Sequence, residues 1–240
     1  MTPLADLRAA WTFLTVVGKG SGPTPGAMGW FPVVGALVGG TVGLVWWGAS
    51  ELWPPFVAAT LAVTADLVLT GGLHHDGLAD SADGLLPHLP RARRLVVMRE
   101  PDVGAFGLLA LVVVVLLRVG ALASIEVRPL VLAGLWCASR TAMAVLARAV
   151  PYARAEGGLA SAFLGGSPVA VGATGTLLTA VLLVPEGTIA VLVAAVALVA
   201  GAGAVAVLAH RRLGGVTGDV LGAAGVVGET LALVALAARW

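Results

Sequence analysis

Apolar and small residues run almost without interruption through seven stretches of the chain, roughly 29–50, 53–73, 104–125, 130–150, 168–185, 187–208 and 219–238. A helix needs about 20 predominantly apolar residues to cross the hydrocarbon of a bilayer. Six of the seven reach that length, and the fifth, shorter by a couple of residues, reads as a tilted or re-entrant span. Prolines 54, 55, 101, 129, 151, 168 and 185 punctuate the borders, where a missing N–H and a fixed φ interrupt a helix at least cost. The pattern predicts an all-α fold: a polytopic integral membrane bundle of about six to seven transmembrane helices, forming one membrane-embedded domain over residues 1–240. The segment 1–19, with Asp6 and Arg8 in it, reads as an interfacial or amphipathic lead-in rather than a leader peptide, and the first 28 residues as a whole suit either the interface or a further short span.

Composition sharpens this. Charged residues are 11% of the chain and hydrophobic ones 59%, against about 25% charged in ordinary soluble domains. The 33 glycines suit close approach of helices in lipid. The formal net charge of +1 says nothing about a partner, but the chain has no basic stripe of the kind a nucleic-acid partner would need. The single cysteine, Cys137, lies in an apolar stretch; it reads as a small buried hydrophobe and excludes a disulfide framework or thiolate metal site.

The few basic residues are unevenly placed. Arg8, Lys19, Arg91, Arg93, Arg94, Arg99, Arg148, Arg154, Arg211 and Arg212 fall on one side of a seven-span arrangement, and Arg128 and Arg239 on the other. Cytoplasmic loops carry the excess of Lys and Arg, so the stretch 71–94 and the loops 151–167 and 209–218 are expected in the cytoplasm. Four charges stay inside the spans: Asp66, Arg118, Arg140 and Glu229. Each costs roughly 2.5–3.5 kcal/mol at the bilayer centre on insertion scales, so they are expected to line a polar cavity or to pair with one another.

The densest chemistry lies in "GGLHHDGLADSADGL" (71–85). Asp76, Asp80 and Asp83 are spaced i, i+4, i+7, which on a helix stacks three carboxylates on one face. At about 6 Å and an effective dielectric near 20, adjacent carboxylates repel by roughly 3 kcal/mol. A divalent cation turns that repulsion into coordination, and oxygen-only donors suit Mg²⁺ or Mn²⁺. The other reading is a solvated polar turn in which Asp76 caps a helix start. His74 and His75 complete no zinc spacing and read as interfacial imidazoles. Downstream, "RRLVVMREPDVGAFG" supplies Arg94, Arg99 and Asp102, and "RRLGGVTGDVLGAAG" places Thr217, Gly218 and Asp219 at the start of the last span. A metal beside guanidinium groups is the usual apparatus for phosphoryl transfer. The glycine-rich loop could cradle an anion, and it equally suits a plain helix N-cap by Thr217 or Asp219.

Four stretches in order, "TGGLHHDGLADSADGL" (70–85), "RRLVVMREPDVGAFGLLAL" (93–111), "RAVPYARAEGGLASAF" (148–163) and "GGVTGDVLGAAG" (214–225), resemble the cobalamin synthase family, the adenosylcobinamide-GDP ribazoletransferases. "FLTVV" (13–17) and "FPVVGALVGG" (31–40) also resemble that family's opening. The resemblance implies a Mg²⁺-dependent enzyme of the bacterial cytoplasmic (inner) membrane that joins GDP-activated cobinamide to α-ribazole or its 5′-phosphate and releases GMP. It implies Asp76, Asp80 and Asp83 as metal ligands and catalytic residues, with Asp102 or Asp219 accepting the attacking hydroxyl's proton. Arg94, Arg99, Arg154, Thr217 and Gly218 are implied in substrate binding, and Arg148, Tyr152 and Glu156 belong to the third motif. Partners implied are the two small-molecule substrates and the lipid bilayer, with homo-oligomerisation or association with other cobalamin-assembly enzymes left open. The chain departs from the family pattern in two places: His75 stands where leucine is usual, and Gly225 and Val226 replace an Asn–Glu pair. If that glutamate is a ligand, Glu229 has to substitute. Another membrane phosphotransferase or prenyltransferase acting on a diphosphate, or a transporter using the four intramembrane charges, remains the rival reading.

Overall fold

The computed structural model describes residues 2–20, 22–154 and 167–238. They form helices α1 (Pro3–Leu14), α2 (Phe31–Ser50), α3 (Pro55–Thr70), α4 (Leu73–Leu85), α5 (Arg91–Val97), α6 (Ala105–Ser124), α7 (Pro129–Ala149), α8 (Pro168–Leu183), α9 (Thr188–Leu213) and α10 (Gly218–Leu236). Among the described residues the strand-like pairing is a single isolated bridge, between Tyr152 and Val216. The fold is all-α, as the pattern requires.

Each apolar stretch became one helix, α2, α3 and α6 to α10. Five of them, α2 with its leading 3₁₀ turn, α6, α7, α9 and α10, are long and apolar enough to cross a membrane alone, and a sixth span arises if α3 and α4 count as one bent unit. The count thus lies at the lower edge of expectation. The stretch expected at 53–73 is cut short because the chain turns by 90° between α3 and α4. Gly71 and Gly72, at φ +61° and +68°, make the corner in a conformation that side chains with a Cβ rarely adopt. Beyond it α4 lies across one end of the bundle rather than through it, packed on α10 and α6.

The tightest seam joins α2 to α7. Gly35, Gly39 and Gly43 recur every four residues and face the α7 backbone: a Cβ at Gly35 would stand 2.6 Å from the Trp136 carbonyl oxygen, and one at Gly43 2.5 Å from that of Pro129. Small-xxx-small spacing of this kind lets two helices touch backbone to backbone where lipid offers no hydrophobic drive for association. α10 lies centrally, against α9, α4, α7 and α6. The outer surface is apolar: Leu109, Val113 and Leu116 on α6 and Leu192, Val196 and Val199 on α9 are exposed, a belt that suits a bilayer and not water.

The four intramembrane charges meet in one closed network. The Arg118 guanidinium donates to Asp66 Oδ2 at 3.2 Å and to Glu229 Oε2 at 2.6 Å, to Thr230 Oγ1 at 2.9 Å and to the Val226 carbonyl oxygen at 3.1 Å. Trp136 Nε1 donates to Asp66 Oδ1 at 2.9 Å, and Arg118 lies 5.2 Å from the centroid of the same indole. Arg140 completes the set by bonding Glu229 and Ser139. Two acids and two arginines cancel, so the pairing alternative is the one realised. Glu229 is thereby spent on a structural ion pair.

Candidate active site

The described parts of the motif loops collect at the end of the bundle that α4 covers. The loop after α7 is held there by backbone: Val216 N donates to the Pro151 carbonyl oxygen at 2.9 Å, and Ala153 N to that of Val216 at 2.8 Å. This pairing carries Tyr152 and Arg154 over the start of α10. Arg154 donates to Asp219 Oδ2 at 2.8 Å, and Thr217 Oγ1 donates to the same oxygen at 3.2 Å. From the other side α4 closes in, because Gly77 has no side chain. A Cβ there would stand 2.8 Å from the Asp219 carbonyl oxygen. The Asp76–Asp80 face is thereby brought beside the Asp219–Arg154 pair.

That gathering has an electrostatic consequence. Burial, then the charges of Asp76 and Asp219, push the Asp80 carboxyl from its ordinary range up to about 7, against the opposing pull of Arg154. Between about pH 4 and 7 the native chain therefore holds a proton that the unfolded chain has lost, so stability declines as pH rises through that window. In metal-free, detergent-solubilised protein, Tm should fall from about pH 5 to 7.5, and Asp80→Asn should flatten that slope. An identical slope in the variant would assign the effect to other groups.

Several expected site residues are placed in supporting work. Asp83 accepts the Gly104 N–H at 2.7 Å on Oδ2 and the Gly107 N–H at 2.9 Å on Oδ1, so it neutralises the orphan amides at the start of α6. Among the described residues no three His, Cys, Asp or Glu side chains stand as a group able to hold a metal ion; the three aspartates do not form a ready-made cage. Asp83→Ala should cost about 2 kcal/mol, several degrees in Tm, whether or not metal is present. Were Asp83 chiefly a ligand, Tm without metal would stay put and cation affinity alone would fall. Arg94 is buried and donates twice, at 2.8 Å, to the carbonyl oxygens of Gly84 and Leu85. Arg212 bonds Leu85 and Leu86 beside it, and the two cations cap the carbonyl end of α4. Thr217 is fully buried as the N-cap of α10, its Oγ1 accepting from Val220 N at 3.3 Å. The plain-cap reading of this loop is the one seen.

Two cavities meet at Arg154. One, of ≈ 220 Å³, has a polar lip of Asp76, Tyr152, Arg154, Gly218 and Asp219, and an apolar interior from Phe13, Met28, Phe31 and Met143, with His74 alongside. The other, of ≈ 340 Å³, is bordered by Arg91, Arg99 and Arg154. Asp102 sits exposed in the turn before α6 and lines neither cavity. Glu156 lies outside the described residues. Sequence reasoning missed the apolar interior, since Phe13, Phe31 and Met143 come from distant segments without polar signal. It also placed His74 in the interface, whereas the imidazole is buried with its Nε2 unbonded.

Residues 6–237 match the family described as Cobalamin-5-phosphate synthase. A relative from Chlorobaculum tepidum is 40% identical over 239 residues, 95% of this chain and 92% of its own. One from Bradyrhizobium diazoefficiens is 40% identical over 252 aligned positions, 98% of this chain and 94% of its own. A third, from Chlorobium phaeovibrioides, is 34% identical over 225 residues, 91% of this chain and 90% of its own. All three bear the name adenosylcobinamide-GDP ribazoletransferase. No solved structure matches the chain.

Proposed function

Starting from the chain's membership of the Cobalamin-5-phosphate synthase family, we propose that it joins adenosylcobinamide-GDP to α-ribazole or its 5′-phosphate and releases GMP. The observation that carries the reading is that Asp76 and the Asp219–Arg154 pair border one cavity, that Asp80 stands close enough to feel all three charges, and that Arg154 also borders the second cavity. A ribose hydroxyl attacks the phosphorus bonded to cobinamide, a new P–O bond forms, and the bridging P–O bond to GMP breaks. Arg154 stands where the bridging and non-bridging oxygens gain charge, and Arg99 and Arg91 extend that positive surface toward the departing nucleotide. Asp219, at the cavity lip, receives the hydroxyl proton on its carboxylate. Asp102 lines neither cavity, which favours Asp219 of the two candidates.

The donor set fits Mg²⁺. Among the described residues no three acids, histidines or cysteines are grouped to hold a metal ion, and a pair of carboxylates suits a cation held by one or two acids and by substrate phosphates rather than by a protein cage. Asp76 and Asp80 are the residues that would hold it, and when bound it would neutralise and orient the diphosphate. The apolar belt and the basic loops support a cytoplasmic-membrane enzyme with this site facing the cytoplasm. The four midplane charges neutralise one another, so nothing in them favours transport. Detergent-purified protein given both substrates and Mg²⁺ should release GMP and form complete cobalamin, and EDTA should stop it. No GMP from folded protein would sink the assignment.

A further inference from the structure

The ≈ 220 Å³ cavity is chemically two-sided. Its lip carries the charges already assigned to the reacting phosphate. Its interior is apolar, with Phe13 and Phe31 stacked, ring centroids 5.8 Å apart, and the sulfur side chains of Met28 and Met143 alongside. Flat rings and thioethers are the surfaces on which aromatic rings pack with offset or edge contacts. His74 lines the same cavity; it is 4% exposed, and among the described residues its Nε2 has no hydrogen-bond partner. A buried polar atom left unbonded is costly, and it becomes useful when a ligand supplies the missing partner.

Size and charge then sort the reactants. The cavity is smaller than the ~300–1,000 Å³ of pockets that enclose drug-sized ligands, so a corrin ring with its side chains cannot enter. Guanine would fit by size, but its edge presents donors and acceptors together, and the apolar interior answers with one polar atom. Phosphates belong with the arginines of the neighbouring cavity.

We propose that this cavity is the subsite for the flat heteroaromatic base of the acceptor nucleoside, with His74 Nε2–H donating to the ring nitrogen that the glycosidic bond leaves free. The base is stacked among Phe13, Phe31 and the two methionines, and the attached ribose points its hydroxyl outward to Asp219 and Arg154. The proposal rests on the ribazoletransferase reading and adds which substrate enters where.

The test uses the full chain in detergent, with Mg²⁺ and both substrates varied independently. His74→Ala should raise KM for α-ribazole about tenfold or more and leave KM for the GDP-activated corrinoid within about twofold. His74→Gln, whose amide also offers a donor, should recover part of that loss. Phe13→Ala, at a half-buried position, should raise the same KM roughly fivefold and decides the matter alone if the His74 variants fail to fold. Equilibrium binding of α-ribazole without metal, followed by calorimetry, should weaken in parallel. A KM rise confined to the GDP-activated corrinoid would give the cavity to guanine and overturn the proposal. So would a loss of kcat with both KM values and α-ribazole binding unchanged. Absence of GMP release by the unmodified protein would instead indict the underlying reading.

Discussion

Asp80→Asn is expected to abolish turnover while leaving the protein as stable as before, or more so above pH 7. Asp80 sits where burial and two neighbouring carboxylates already push it toward the protonated form. Asparagine copies that form in size and charge, so folding and insertion lose nothing. On the proposed role the reaction would lose a ligand for the cation, and with it the field that offsets charge on the diphosphate; a drop of about three orders of magnitude, ~4 kcal/mol, is the scale of such losses. GMP release measures the first half and a thermal melt in detergent the second. Wild-type-like release would remove Asp80 from the metal assignment. Loss of both activity and stability would make it a structural residue instead.

Arg118→Leu has its large effect elsewhere. Arg118 is 1% exposed and satisfies Asp66, Glu229, Thr230 and the Val226 carbonyl oxygen together. Without it, two buried carboxylates share the single charge of Arg140. Removing one partner of a buried ion pair costs about 3–5 kcal/mol, a large share of an ordinary domain's stability. The variant should fail to give a monodisperse peak in detergent. Arg118→Leu combined with Asp66→Leu leaves the balanced Arg140–Glu229 pair and should recover much of the loss, so the two substitutions are strongly non-additive. A single variant that melts with the wild type would show that the network does not hold the helices.

The helices were legible because a bilayer accepts only backbone that bonds to itself, which ties apolar run length to helix number. What blurred the count was Gly71–Gly72: adjacent glycines in an apolar run are as compatible with a tolerated helix interior as with a right-angle corner, and only the packing of α4 on α10 selected the corner. The acidic face was legible from its spacing, since i, i+4, i+7 is a local property of a helix. The division of labour along it was not. Asp83 bonds amides 21 and 24 residues away, and Arg94 meets carbonyl oxygens on another helix; neither acid nor base announces in sequence whether its partner will be a ligand or a helix end.

The same distinction runs through the whole molecule. The sequence by itself determined the all-α class, the apolar spans and the charged residue types available between them, because each follows from local periodicity, run length or composition. The tertiary structure alone decided which carboxylates stand together, that Asp66, Arg118, Arg140 and Glu229 neutralise one another, and that Phe13 and Phe31 come to face His74 and Asp219. Those outcomes depend on contacts between segments far apart in the sequence, formed where glycines let backbones meet and where a buried charge has to find its opposite. Local chemistry names the candidates, and close packing in a medium that does not solvate charge assigns their partners.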